Sequence, residues 1–157
     1  MRFKIVLGIA LAVALVAGLA HAQTGGPTVA AKQQQRTLRY KVKTVAVNQN
    51  DVAPPGTSIG DQVTSWSELR KNGAVVGHTG GNCTFAGGRA LCTAIVIIDG
   101  QGQLSLAGRL QPAYLAGSGV ARFAVNGGTG PYAHASGWAT VEQTGAPTQD
   151  LTLYLAL

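Results

Sequence analysis

The chain has 157 residues, 12 Lys or Arg against 6 Asp or Glu, and 11% charged side chains, a balance that excludes a highly charged disordered polymer. Its 22 glycines are scattered through apolar alternation, which excludes a low-complexity tract and points to one all-β domain with many turns. Two cysteines are too few to build a structural zinc site.

The N-terminus reads as an export signal. Met1-Arg2-Phe3-Lys4 is basic, residues 5–20 form an almost unbroken apolar run, and Ala20-His21-Ala22 has the small-x-small pattern of a signal peptidase site. A membrane anchor is the alternative, but that run falls short of the ~20 residues needed to span a bilayer. The expected organisation is a signal peptide at 1–22, a flexible leader at 23–36 and a β domain at 37–157. Cleavage removes Arg2 and Lys4 and leaves a net charge of 12 − 2 − 6 = +4. The product is expected to be secreted or periplasmic, with no membrane association after cleavage. Bases between Lys32 and Lys43 alternate with apolar residues, the pattern of a solvated strand face, so nucleic acid is not an expected partner.

Residues 37–48 alternate and are rich in Val and Thr, so they form the first strand. Leu38, Tyr40, Val42 and Thr44 share one face; Arg39, Lys41, Lys43, Val45 and Val47 share the other. Pro54-Pro55-Gly56 makes 50–60 a loop. A second strand is expected at 62–70, and Asn72-Gly73 turns it into a third at 74–85. Gly77, Gly80 and Gly81 mark a bulge or bend in that third strand. The fourth, 90–99, is apolar on both faces except for Thr93, which calls for a second cover beyond the core; a neighbouring subunit is the simplest one.

A fifth strand follows at 103–110, then a looser connection at 111–118 holding Pro112 and Tyr114. Residues 119–141 carry two alternating segments that flank a glycine-rich turn, Asn126-Gly127-Gly128-Thr129-Gly130-Pro131-Tyr132, in which Asn-Gly-Gly is expected to supply positive-φ positions for the reversal. The last strand is 149–157. Eight antiparallel strands in up-and-down order are enough to close a small β-barrel; a sandwich is the alternative.

Cys83 and Cys92 flank Gly87-Gly88 in CTFAGGRALC. In an exported chain this pair reads as a disulfide between neighbouring strands, with two buried thiols as the plainer alternative.

The ordered set Gly60-Asp61, Gly73-x-x-Val76-Gly77, the Cys83 to Cys92 hairpin, Asp99-Gly100-Gln101, Gly108 and Phe123-Ala124-Val125-Asn126-Gly127-Gly128-Thr129-Gly130-Pro131-Tyr132 with Gly137 resembles the allene oxide cyclase barrel-like family, which includes the plant dirigent proteins. The resemblance implies an eight-stranded antiparallel barrel, often trimeric, with a lipophilic cavity opening at one end. Members of that family steer the cyclisation or coupling of reactive intermediates by holding them in one conformation. The cavity residues of the plant cyclases do not carry over, because the first strand holds Tyr40, Lys41, Lys43 and Asn48 and no carboxylate.

No nucleophile constellation is visible: Gly-x-Ser-x-Gly, His-Glu-x-x-His and a phosphate loop before a helix are all missing from the sequence. Candidate ligand-binding residues are therefore single polar groups on apolar faces. Tyr40 is one, against the plainer reading of a core tyrosine with a satisfied hydroxyl. Trp66 and Glu68 share a face of the second strand, where Glu68 either polarises a ligand or pairs with Arg70 on the surface. Tyr114 sits in the long connection at 111–118, where a barrel mouth would put binding groups. His78 reads as structural, since nothing of metal-ligand spacing surrounds it.

The expected function is binding of a small lipophilic molecule, with guided cyclisation or coupling if a reaction is catalysed. A non-catalytic structural or carrier barrel is the alternative. Self-association is expected, as a trimer by the resemblance; no cofactor and no metal are.

Overall fold

The computed structural model describes residues 34–56 and 58–157; the expected signal peptide, and all of the leader before residue 34, lie outside the described residues. Eight strands, β1 Gln35–Asn50, β2 Gln62–Lys71, β3 Ala74–Phe85, β4 Ala90–Ile98, β5 Gly102–Leu110, β6 Val120–Gly128, β7 Ser136–Gly145 and β8 Thr148–Ala156, follow one another around a closed barrel. Every neighbouring pair is antiparallel, and β1 closes the ring against β8. This is the barrel that alternation predicts, not the sandwich.

Alternation sorts the side chains. Leu38, Tyr40 and Val42 on β1, Leu104 and Leu106 on β5, Phe123 and Val125 on β6, and Leu151, Leu153 and Leu155 on β8 all point into one buried core. At about 25 cal/mol per Å² of apolar surface removed from water, such a core is the main term favouring the fold. Arg39, Lys41 and Arg122 point outward, and Lys41 pairs with Asp150 across the β1–β8 ladder.

Bulges change the simple alternation. A register shift between Thr44 and Ala46 reverses the parity of β1, so Val47 reaches the barrel interior instead of sharing the outer face of Lys43. A second shift opposite Leu69 and Arg70 falls beside Gly77, as the glycines of that strand suggest. The Asn72-Gly73 reversal has positive φ at both residues, the signature of the tight hairpin turn expected there.

The turn expected at 126–132 is corrected at its start and begins three residues later. Asn126 pairs with Ser136 and Gly128 with Leu104, so these residues belong to the ladder, and the reversal is made by 129–135 with a 3₁₀ turn at Gly130–Tyr132. The longer connection has a physical purpose: it brings Tyr132 under the barrel, fully buried, with its hydroxyl donating to Gln101 Oε1 at 2.9 Å. The connection after β5 likewise contains a short helix, α1 Pro112–Leu115, begun by a proline at its first turn.

In an up-and-down barrel the connections alternate between two ends. One end carries the β2–β3, β4–β5 and β6–β7 connections and is sealed by Tyr132, Leu69, Leu104 and Leu153, all of them without solvent exposure. The other end, the mouth, carries residues 51–61, the Gly87-Gly88 turn, α1 and the β7–β8 turn. Asp61 organises the largest of these loops. Its carboxylate accepts the Val52 N–H at 2.8 Å, the Ser58 N–H at 2.7 Å and the Ser58 hydroxyl at 2.8 Å. The backbones of Gly60 and Asp61 then bond Phe85, tying the loop to the end of β3.

Candidate functional site

The upper half of the barrel encloses a cavity of about 250 Å³ that opens at the mouth. It exists because the inward positions there are small: Thr44, Ser65, Ser67, Thr79, Gly81 and Ala94 line β1 to β4, where the sealed end has leucines. Register sets the polar groups side by side. Thr44 pairs with Ser67, and Ser67 with Thr79, so three hydroxyl residues form a row across three adjacent strands. Ser65 lies one inward position nearer the mouth on β2.

The facing wall is apolar, built from Leu106, Leu110, Phe123, Val141 and Leu151. Nothing lining the cavity is a Lys, Arg, His, Asp or Glu. Its polar groups are the hydroxyls, Gln149 and the phenol of Tyr114, which α1 carries over the mouth. Burial pushes the Tyr114 phenol up to about 12, so it stays protonated and can donate throughout the physiological range.

Cys83 and Cys92 are register partners on β3 and β4 and form a disulfide with S–S 2.05 Å. The bridge sits in the cavity wall, cross-linking two strands where they approach the mouth. A cross-link of this kind is compatible with an extracellular or periplasmic protein. Among the described residues no helix is long and apolar enough to cross a membrane.

The four candidate residues separate. Tyr114 lines the cavity and is only 9% exposed. Tyr40 points inward but lies below the cavity, in the core toward the sealed end. Burial, and next the neighbouring Tyr132 phenol, raise its pKa above the ordinary value, against an opposing pull from Arg36. Trp66 and Glu68 are on the outer surface of β2. Trp66 lies over Gly80 and stacks on His78 at 5.4 Å between ring centres, and a Cβ at Gly80 would meet the indole at 3.0 Å. Glu68 accepts from Arg70 Nε at 2.8 Å, the surface pair that the spacing allowed.

Sequence reasoning missed Ser65, Ser67 and Thr79. The signal was present on the second strand, where Ser65 and Ser67 share their parity with Val63 and Leu69, while Trp66 and Glu68 share theirs with Thr64 and Arg70. Aromatic and charged residue types drew the choice to the even face, although the odd face holds the aliphatic ends that enter the core.

Residues 41–155 match the allene oxide cyclase barrel like domain, nearly the whole of the barrel. The chain belongs to the allene oxide cyclase barrel-like family. Solved structures agree on the architecture. A pyocyanin demethylase superposes with a TM-score of 0.69 at 28% identity, covering 77% of this chain and 100% of its own. The Diels–Alderase AbmU from Streptomyces koyangensis matches with a TM-score of 0.64 at 17% identity, over 76% of this chain and 63% of its own. A pterocarpan synthase dirigent protein matches with a TM-score of 0.62 at 17% identity, over 80% and 86% of the two chains. No curated protein matches the sequence.

Proposed function

We propose that this member of the allene oxide cyclase barrel-like family is exported and binds a small lipophilic molecule in its lumen, guiding cyclisation or coupling by holding the molecule in one conformation. The observation that carries this reading is the mouth-end cavity, about 250 Å³, with one apolar wall, one hydroxyl wall and no ionisable carboxylate, imidazole or amine. Ligand pockets run from roughly 300 to 1,000 Å³, so the ligand is small. A reaction here would draw its rate from orientation and excluded water, with hydroxyl groups bonding developing charge. Neighbours named as a demethylase, a Diels–Alderase and a dirigent protein support a lumen used for small-molecule chemistry.

The same lack of an acid–base pair supports a second reading, in which the barrel carries its ligand without reacting it. Native mass spectrometry of the purified protein, with thermal shifts across a lipid and polyketide panel, tests both at their common root. Retained small molecules and a raised Tm are expected. A bare protein that no compound stabilises would sink the lumen reading. Recovering a bound compound chemically unchanged after prolonged incubation would favour the carrier.

Self-association belongs to the same proposal, with a second copy of this chain covering the outer face of β3 to β5. Leu91 and Ile95 are 59% and 45% exposed there, in line with Ile97 and beside the Trp66–His78 stack. Arg109 borders this face beside Leu91, but the outward positions around Ile95 and Ile97 carry no Lys, Arg, Asp or Glu, so two copies of a basic protein can meet there without opposed like charges. Light scattering at micromolar concentration is expected to give a mass above the monomer, and Ile95→Lys to reduce it. A strict monomer would remove the second copy.

A further inference from the structure

Ser67 is 4% exposed, yet among the described residues the hydroxyl row has a single side-chain hydrogen bond, the 3.5 Å contact between Ser67 Oγ and Thr44 Oγ1. Good O–H···O bonds are about 2.7–2.8 Å long, so this contact satisfies neither group well. A buried hydroxyl is normally well bonded, and one held only by so long a contact has room for a better partner. Thr79 continues the row on the far side of Ser67, and all three residues line the cavity. The strands facing them across the barrel present Leu106, Phe123 and Val141, which offer no polar atom.

We propose that the lumen selects an uncharged lipophilic molecule bearing one hydrogen-bonding oxygen, which sits against the Thr44–Ser67–Thr79 row while the apolar body packs on Phe123 and Val141. The inference deepens the ligand reading above and rests on it. Charge is selected against because no cationic or anionic side chain lines the cavity, and an unpaired ion brought there loses its hydration without compensation. The oxygen is selected for because a hydrocarbon of the same shape would cover Ser67 and leave its hydroxyl with only the long Thr44 contact. Tyr114, protonated at the mouth, adds a donor at the opposite end of the cavity but no charge.

Three small probes of one shape separate these claims: naphthalene, 2-naphthol and 2-naphthoate, titrated calorimetrically into the purified protein. 2-Naphthol is expected to bind best and naphthalene about three- to tenfold more weakly, the range of one net hydrogen bond. 2-Naphthoate is expected to show no heat. In Ser67→Ala the preference of naphthol over naphthalene is expected to shrink to near unity with the naphthalene affinity kept, which a folding defect would not do. Thr79→Val, close in shape, is expected to act in the same direction.

Equal binding of naphthalene and naphthol, or a preference that survives Ser67→Ala, overturns the polar anchor. Naphthoate binding as tightly as naphthol overturns the selection for a neutral ligand. If none of the three binds, the ligand reading itself fails, and this inference falls with it.

Discussion

At the sealed end of the barrel the inward positions are Tyr132, Leu69, Leu104 and Leu153; toward the mouth they are Ser65, Ser67, Thr79, Gly81 and Ala94. The strands, their registers and their alternation are continuous between the two. What differs is side-chain volume and the way each end is held. Leucines and a plugging tyrosine, all without solvent exposure, fill one half, so its stability is packing. The other half gives up packing for a cavity, and its walls are held by a disulfide and by the Asp61 hydrogen bonds. Close packing and open volume are therefore divided along the axis of one sheet.

Breaking the packed end is expected to have the largest effect. Leu153→Ala should cost about 3–4 kcal/mol in denaturant unfolding, the range for a fully buried leucine that leaves a cavity. Ser65→Ala, on the cavity wall, should cost less than about 1 kcal/mol in the same measurement. Similar losses at both positions would mean that the two ends do not differ in the way described.

The cross-link comes next. Replacing Cys83 and Cys92 together by serine should lower stability by about 2–3 kcal/mol, the entropy of a loop with a sequence separation of 9. Hydrogen exchange should then rise in β3 and β4 near the mouth while the β7–β8 ladder stays protected. Uniform loosening of the whole barrel would contradict the division.

Tyr114 gives a smaller, pH-dependent effect. Its folded pKa of about 12 stands above the ordinary 10.0, so its contribution is complete below pH 10 and is lost as pH rises toward 12. An ultraviolet tyrosine titration of the folded protein should show a late step that Tyr114→Phe removes, with little change in neutral stability. A late step that survives Tyr114→Phe unchanged would mean that the phenol at the mouth is not the one held high by burial.

Asp61 should give the mildest change, confined to acid. Its pKa lies below the ordinary 3.8 because the backbone N–H of Ser58, then that of Val52, bond the carboxylate. The stabilisation is present above that ordinary value and disappears as pH falls through the lowered one. Asp61→Asn should erase this acid limb and speed proteolysis within residues 51–61, leaving the barrel strands uncut. An unchanged acid limb would separate Asp61 from the loop.

Much of the fold was legible because a strand announces itself with a period of two. The third strand, Ala74–Phe85, has the bounds that its flanking turns predicted, and the fourth differs by one residue. Legibility failed where a ladder defect changed the parity. Val47 enters the lumen because of a bulge at Thr44, which no residue type in the first strand advertises. The Asn126-Gly127-Gly128 segment has turn chemistry but lies in a strand, since glycine there serves close approach: a Cβ at Gly128 would strike the Gln103 carbonyl. In the candidate site Tyr114 was found from its loop, while Ser67 was passed over because a serine on a strand looks like surface until its neighbours across the sheet are known.

From the sequence by itself came the strands, the hairpin order, the disulfide partners and the family resemblance, all of which depend on near neighbours in the chain or on fixed spacing. Only the closed barrel decided which face of each strand looks inward beyond a bulge, and that Thr44, Ser67 and Thr79 stand in one row. Those facts depend on register between strands up to 35 residues apart, from Thr44 to Thr79, and register is set by the closure of the whole sheet.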